Sequence, residues 1–140
     1  EFWLITAVRH DLALAADRLG RSEERDRLMQ DNLAGIKQKH ENGGDNQYLW
    51  LSQARSVALL GDAQVAAIAL ERAFEQGFRS RLGLLSDPVF AKVVEDPAMQ
   101  AVLERIAERN RADLERLLEV ERELGDFADD EPEGVGEASS

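Results

Sequence analysis

Cysteine does not occur in these 140 residues, which excludes disulfide frameworks, thiolate metal sites and cysteine nucleophiles and leaves the compartment open. Proline occurs three times, tyrosine once, and aromatic residues make up 6% of the chain. With few β-branched residues as well, the composition disfavours strands. No apolar run approaches the roughly 20 residues of a membrane-spanning helix, and Phe2 to Val8 is too short and poorly flanked for a signal peptide. No membrane insertion is expected. Positive charge is in deficit, with 17 basic residues against 28 acids and a net charge of −11. Phosphate binding needs a basic stripe and none is visible, so no nucleic-acid partner is expected. There is no Gly-x-Ser-x-Gly element and no glycine-rich loop ahead of a helix, which removes the hydrolase elbow and the phosphate cradle.

What is present is 44% apolar residues, enough for one domain with a core of its own. Ala, Leu, Glu and Arg dominate, and all four favour helices. The expected fold is all-α: antiparallel helical hairpins over about 3–40 and 47–77, closing helices over about 88–124, and a domain that ends near residue 125. Residues 126–140 hold six acids and no base and are expected to be a disordered acidic tail. The opening Glu1-Phe2 lacks a methionine and already lies in a helical pattern, so the chain is expected to be a fragment of a longer protein or to carry a cloning remnant.

Leu4, Ile5, Val8, Leu12, Ala15, Ala16 and Leu19 recur at helical spacing and predict a first helix that stops at Gly20. Ser22 is the expected cap of a second helix, with Glu23 and Glu24 in its first turn and Leu28, Met29, Leu33 and Ile36 as its stripe. The run ENGGDN then turns the chain. A second hairpin breaks at Gly61-Asp62, and Phe78 to Ser86 reads as a loop with Leu82, Leu84 and Leu85 tucked inward. Asp87-Pro88 and Asp96-Pro97 each pair a capping side chain with a proline at the first helical position, starting a short helix over Val89 to Glu95 and a long one from Pro97.

Within the second hairpin, Ala54, Ala66, Ala69 and Ala73 lie beside Trp50, Val57, Leu70 and Phe74, a pattern in which small residues let two backbones approach. Aligning Gly20 with Gly61 places Ala13 on Ala54, Leu12 on Gln53 and Met29 on Leu70, a repeat with a period of 41 residues. The string from Leu60 to Gly77, with Trp50 and Ala54 before it, resembles a tetratricopeptide repeat through Gly61, Ala66, Leu70 and Ala73. The consensus proline is missing near Phe78, Arg25 stands where a small residue is usual, and the period exceeds the family's roughly 34 residues. The run from Leu84 to Ile106 resembles the end of such arrays in bacterial multidomain regulators.

The resemblance implies a right-handed superhelical scaffold whose concave face holds a protein or peptide. That face would present His10, Leu14, Asp17 and Arg18 from one hairpin and Tyr48, Leu51, Arg55 and Leu59 from the next. The Lys and Asn pattern that clamps a terminal carboxylate in chaperone-binding members is absent. His10 and His40 read either as contacts or as structural residues. Two histidines about 30 residues apart suggest no metal site, and no cofactor is implied. The acids look solvated rather than held in a dry catalytic pocket, so no enzyme activity is expected of this segment. Arg72, Arg79 and Arg81 are expected to pair with Glu71, Glu75 or the ends of the fourth helix. A separate possibility is a homodimer through the long helix, with Asn110, Leu114, Leu117 and Leu124 as a broken coiled-coil seam. A catalytic domain elsewhere in a parent protein is a third.

Overall fold

The computed structural model describes residues 1–129, which form two compact units, residues 1–107 and the residues from Glu108 onward. The described residues are all-helical: α1 (Phe2–Arg18), α2 (Ser22–Glu41), α3 (Gln47–Leu59), α4 (Ala63–Glu75), α5 (Arg81–Ser86), a 3-10 turn at Pro88–Phe90, and α6 (Pro97–Asp129). In the first unit α1 packs on α2, α3 packs on α4, and the hairpins meet where α3 lies against both α1 and α2. Ala54, Ala66, Ala69 and Ala73 are buried in the core together with Leu70, Phe90 and Ile106.

Both hairpin turns are built alike. Gly20 N–H donates to Asp17 O and Arg21 N–H to Ala16 O; 41 residues on, Gly61 donates to Ala58 O and Asp62 to Val57 O. This paired closure needs a left-handed residue after each helix, where a Cβ would be strained, and the two glycines have φ of +73° and +82°. The second helices end in the same closure, but 34 residues apart: Gly43 donates to His40 O and Gly77 to Phe74 O. The difference lies in helix length, because α2 has 20 residues and α4 has 13. Seven residues are close to two full turns, so the longer helix keeps its inward face in phase.

α1 buries Thr6, His10, Ala13 and Ala16, while Leu4, Ile5, Val8, Leu12 and Leu19 are exposed; of its apolar stripe only Ala16 is buried. The side of α1 that meets α2 and α3 must be small or hydrogen-bonded, and that requirement outweighs hydrophobicity. Ser22 is the first residue of α2, not its cap: Arg21 occupies that place without a side-chain cap bond, and its guanidinium bonds Glu24. Phe78 to Ser86 is not wholly a loop, because Ser80 accepts from Gly83 N–H at 3.1 Å and starts α5. Leu84 is buried, whereas Leu82 and Leu85 are exposed.

Asp87 and Asp96 do cap, accepting from Val89 and Ala98 N–H at 3.0 and 2.9 Å, although Asp87 starts one 3-10 turn rather than an α-helix. The long helix continues through Asp126 to Asp129, four residues assigned to the tail. The rest of that expected disordered tail lies outside the described residues. In the second unit Leu114, Leu117, Leu118, Val120 and Leu124 are exposed, and Arg109 pairs with Asp113 at 3.0 Å.

Candidate functional site

One cleft runs between α1 and α3, lined by Trp3, Thr6, Ala7 and His10 from one helix and Tyr48, Leu51, Ser52 and Arg55 from the other. Its volume is about 150 Å³, enough for one side chain and well below the usual range for drug-sized ligands. Four expected contact residues, His10, Tyr48, Leu51 and Arg55, therefore line one cleft. Leu14 is half-buried against the core and Arg18 is exposed, and neither lines it.

A chain of hydrogen bonds forms the base of the cleft. Arg55 donates from Nε to Asp87 Oδ2 at 2.9 Å and from Nη1 to His10 Nδ1 at 3.1 Å. A guanidinium can only donate, so His10 Nδ1 is unprotonated. Ser56 gives its hydroxyl proton to Ser52 O at 2.9 Å. His10 Nε2 must therefore carry the proton that joins it to Ser56 Oγ at 2.9 Å. The imidazole is the neutral Nε2–H tautomer. Burial first, and the Arg55 charge second, lower its pKa from 6.5 to about 4, while Asp87 and the Ser52 backbone act in the opposite sense. His10 is 1% exposed and spends both ring nitrogens inside the protein, on Arg55 and Ser56, so it acts as a strut that holds Arg55 in place.

Trp3 and Tyr48, 47% and 63% exposed, bring amphipathic rings to the cleft. Four lining residues were not expected from the sequence: Trp3, Thr6, Ala7 and Ser52. Trp3, Ala7, His10 and Leu14 are spaced 4, 3 and 4 residues apart, so stepping back along α1 from His10 reaches two of them. Asp87 gave no such signal, because a loop brings it to Arg55 from 32 residues away.

Other clusters are satisfied internally. Asp17 accepts from both Lys92 and Arg25, which hold its pKa below the ordinary value. On the other side of α3, a cleft of about 470 Å³ is lined by Leu33, Lys37, His40, Glu41, Trp50 and Gln53. There Trp50 stacks on His40 with centroids 4.2 Å apart and donates to Asp45 Oδ1 at 2.7 Å, while His40 bonds Gly44 O and Gln53 Oε1 at 3.0 Å each. Arg72 pairs with Glu75, and Arg79 donates to Phe74 O at 2.8 Å and lies over the Phe74 ring. Among the described residues no three His, Asp or Glu side chains are placed to hold a metal ion, and no helix is long and apolar enough to cross a membrane. Comparison with protein-family models, curated proteins and solved structures gives no match for this chain.

Proposed function

We propose that this chain is a non-catalytic scaffold that binds a segment of a partner protein along the α1–α3 cleft, as a docking module of a larger regulatory or signalling protein. The observation that carries this reading is the cleft itself, with Ala7 and Leu51 in its walls, exposed Trp3 and Tyr48 beside it and a guanidinium fixed at its base. One apolar side chain of the partner enters between Trp3 and Leu51, and a backbone or side-chain oxygen accepts from Arg55. Because Asp87 and His10 already hold Arg55, little side-chain entropy is lost on binding. The matching turns at a period of 41 residues, and the two added turns of α2, support a tetratricopeptide-like array. His10 and Ser56 are buried and spend their hydrogen bonds on holding helices together, which supports a structural rather than a nucleophilic role.

Selecting peptides from a random library on the immobilised chain tests the reading. Selected peptides should lose about tenfold or more in affinity on Tyr48→Ala or Arg55→Ala, the size of a lost interface contact. Affinity unchanged in both variants would remove the cleft as the binding site.

A second reading rests on the leucine face of α6. Leu114, Leu117 and Leu124 are 54%, 54% and 63% exposed, and with Asn110 they are spaced 4, 3 and 7 residues apart, a seam that suits a second copy of the helix. Light scattering should show a dimer for the wild type and a monomer for Leu117→Glu. A monomer in both cases removes this reading.

A further inference from the structure

The aliphatic residues of α1 face the wrong way for an isolated domain. Leu4, Ile5, Val8, Leu12 and Leu19 are 69%, 42%, 47%, 53% and 72% exposed, while the buried side of the same helix is Thr6, His10, Ala13 and Ala16. Contiguous apolar surface of this kind marks an interaction site more often than a solvated face. Leu12, Ala15 and Leu19 continue into a cleft of about 360 Å³ that Leu28 of α2 also lines, with Arg21 and Arg27 beside it.

The second hairpin indicates what covers such a face. At the 41-residue offset Val8 corresponds to Leu49, Leu12 to Gln53, Ala15 to Ser56 and Leu19 to Leu60. In α3 and its C-cap these positions are buried or half-buried, and two of them bond the first hairpin: Gln53 bonds His40 of α2, and Ser56 bonds His10 of α1. We propose that the outer face of α1 is the seat of a further helical hairpin of the α1–α2 kind, packed on α1 as the first hairpin packs on α3. Its second helix carries apolar residues in the pattern of Met29, Leu33 and Ile36.

A second copy of this chain does not supply that hairpin in the same register. The α4 positions that correspond to Met29 and Leu33 are Leu70 and Phe74. Leu70 is fully buried, and Phe74 lies beneath the guanidinium groups of Arg79 and Arg105. The proposal is also independent of what the α1–α3 cleft binds, because it uses the other side of α1.

The test adds a hairpin ahead of the chain. A copy of residues 1–46 replaces residues 1–5, so that Asn46 precedes Thr6 as it precedes Gln47 and the register of the connection between α2 and α3 is kept. Thermal unfolding should shift upward as one cooperative transition, and hydrogen exchange at Val8 and Leu12 should slow by about tenfold or more. Val8→Lys with Leu12→Lys in the original copy should abolish both gains, and the same pair of changes in the chain without the added hairpin should leave its midpoint unchanged. No gain on fusion, or a gain that survives the lysines, overturns the proposal. So does a dimer of the unfused chain that Leu12→Lys dissociates, because a second copy would then occupy the face.

Discussion

His10 gives the sharpest quantitative test of the polar network beneath the cleft. Its folded pKa is about 4 against an ordinary 6.5, so between these values the unfolded chain binds more protons than the folded one. Stability contributed by neutral His10 is therefore complete above about pH 6.5, falls as pH drops through that window, and stops changing below about 4. A depression of this size is worth about 3 kcal/mol when fully expressed, and about 2 kcal/mol of it is lost at about pH 5. Asp17, whose pKa is also lowered, acts at more acidic pH, because a carboxylate contributes until it is protonated below its ordinary 3.8. Urea unfolding followed by circular dichroism at about pH 8, 6 and 5, for wild type and His10→Gln, isolates the imidazole. The wild type should lose about 2 kcal/mol more than the variant over that range. An equal loss in both proteins, or a His10 ring that titrates near 6.5 by NMR, would refute the buried neutral tautomer and the strut it provides.

Other expectations follow from packing and backbone geometry. Ala54 is fully buried, so Ala54→Leu should cost about 1–3 kcal/mol or more through overpacking, read as a lower urea midpoint with an unchanged slope. Asn32 donates to Thr6 O at 3.2 Å but its buried Oδ1 has no partner; Asn32→Leu should be neutral or stabilise by about 1 kcal/mol in the same assay. Gly20 and Gly61 have open space where a Cβ would stand, so alanine at either should cost only the backbone term of about 1–2 kcal/mol, similar at both sites in chemical denaturation.

The helices were legible because their signals are local: glycine after the helix, aspartate before proline, and alanines at helical spacing in the second hairpin. Ala54, Ala66, Ala69 and Ala73 are core residues, and four of the eight residues that line the α1–α3 cleft were reachable from the repeat register. The orientation of α1 was not legible. Periodicity identifies an apolar stripe but cannot say whether it faces this chain's core or another surface, and here the core takes the side that carries His10 and Thr6. Asp87 was illegible for a different reason, since its pairing with Arg55 exists only after a loop folds back onto α3. The extra length of α2 obscured the repeat, because seven inserted residues change the period without changing the face.

The α1–α3 cleft, rather than the larger cleft between α2 and α3, is the proposed seat of the partner segment. Amide chemical-shift mapping on the full chain, titrated with a peptide selected from a random library, tests it most directly. Perturbations should cluster at Trp3, Ala7, Tyr48, Leu51 and Arg55. Perturbations centred on Leu33, Lys37, Trp50 and Gln53, with the first set unmoved, would contradict it.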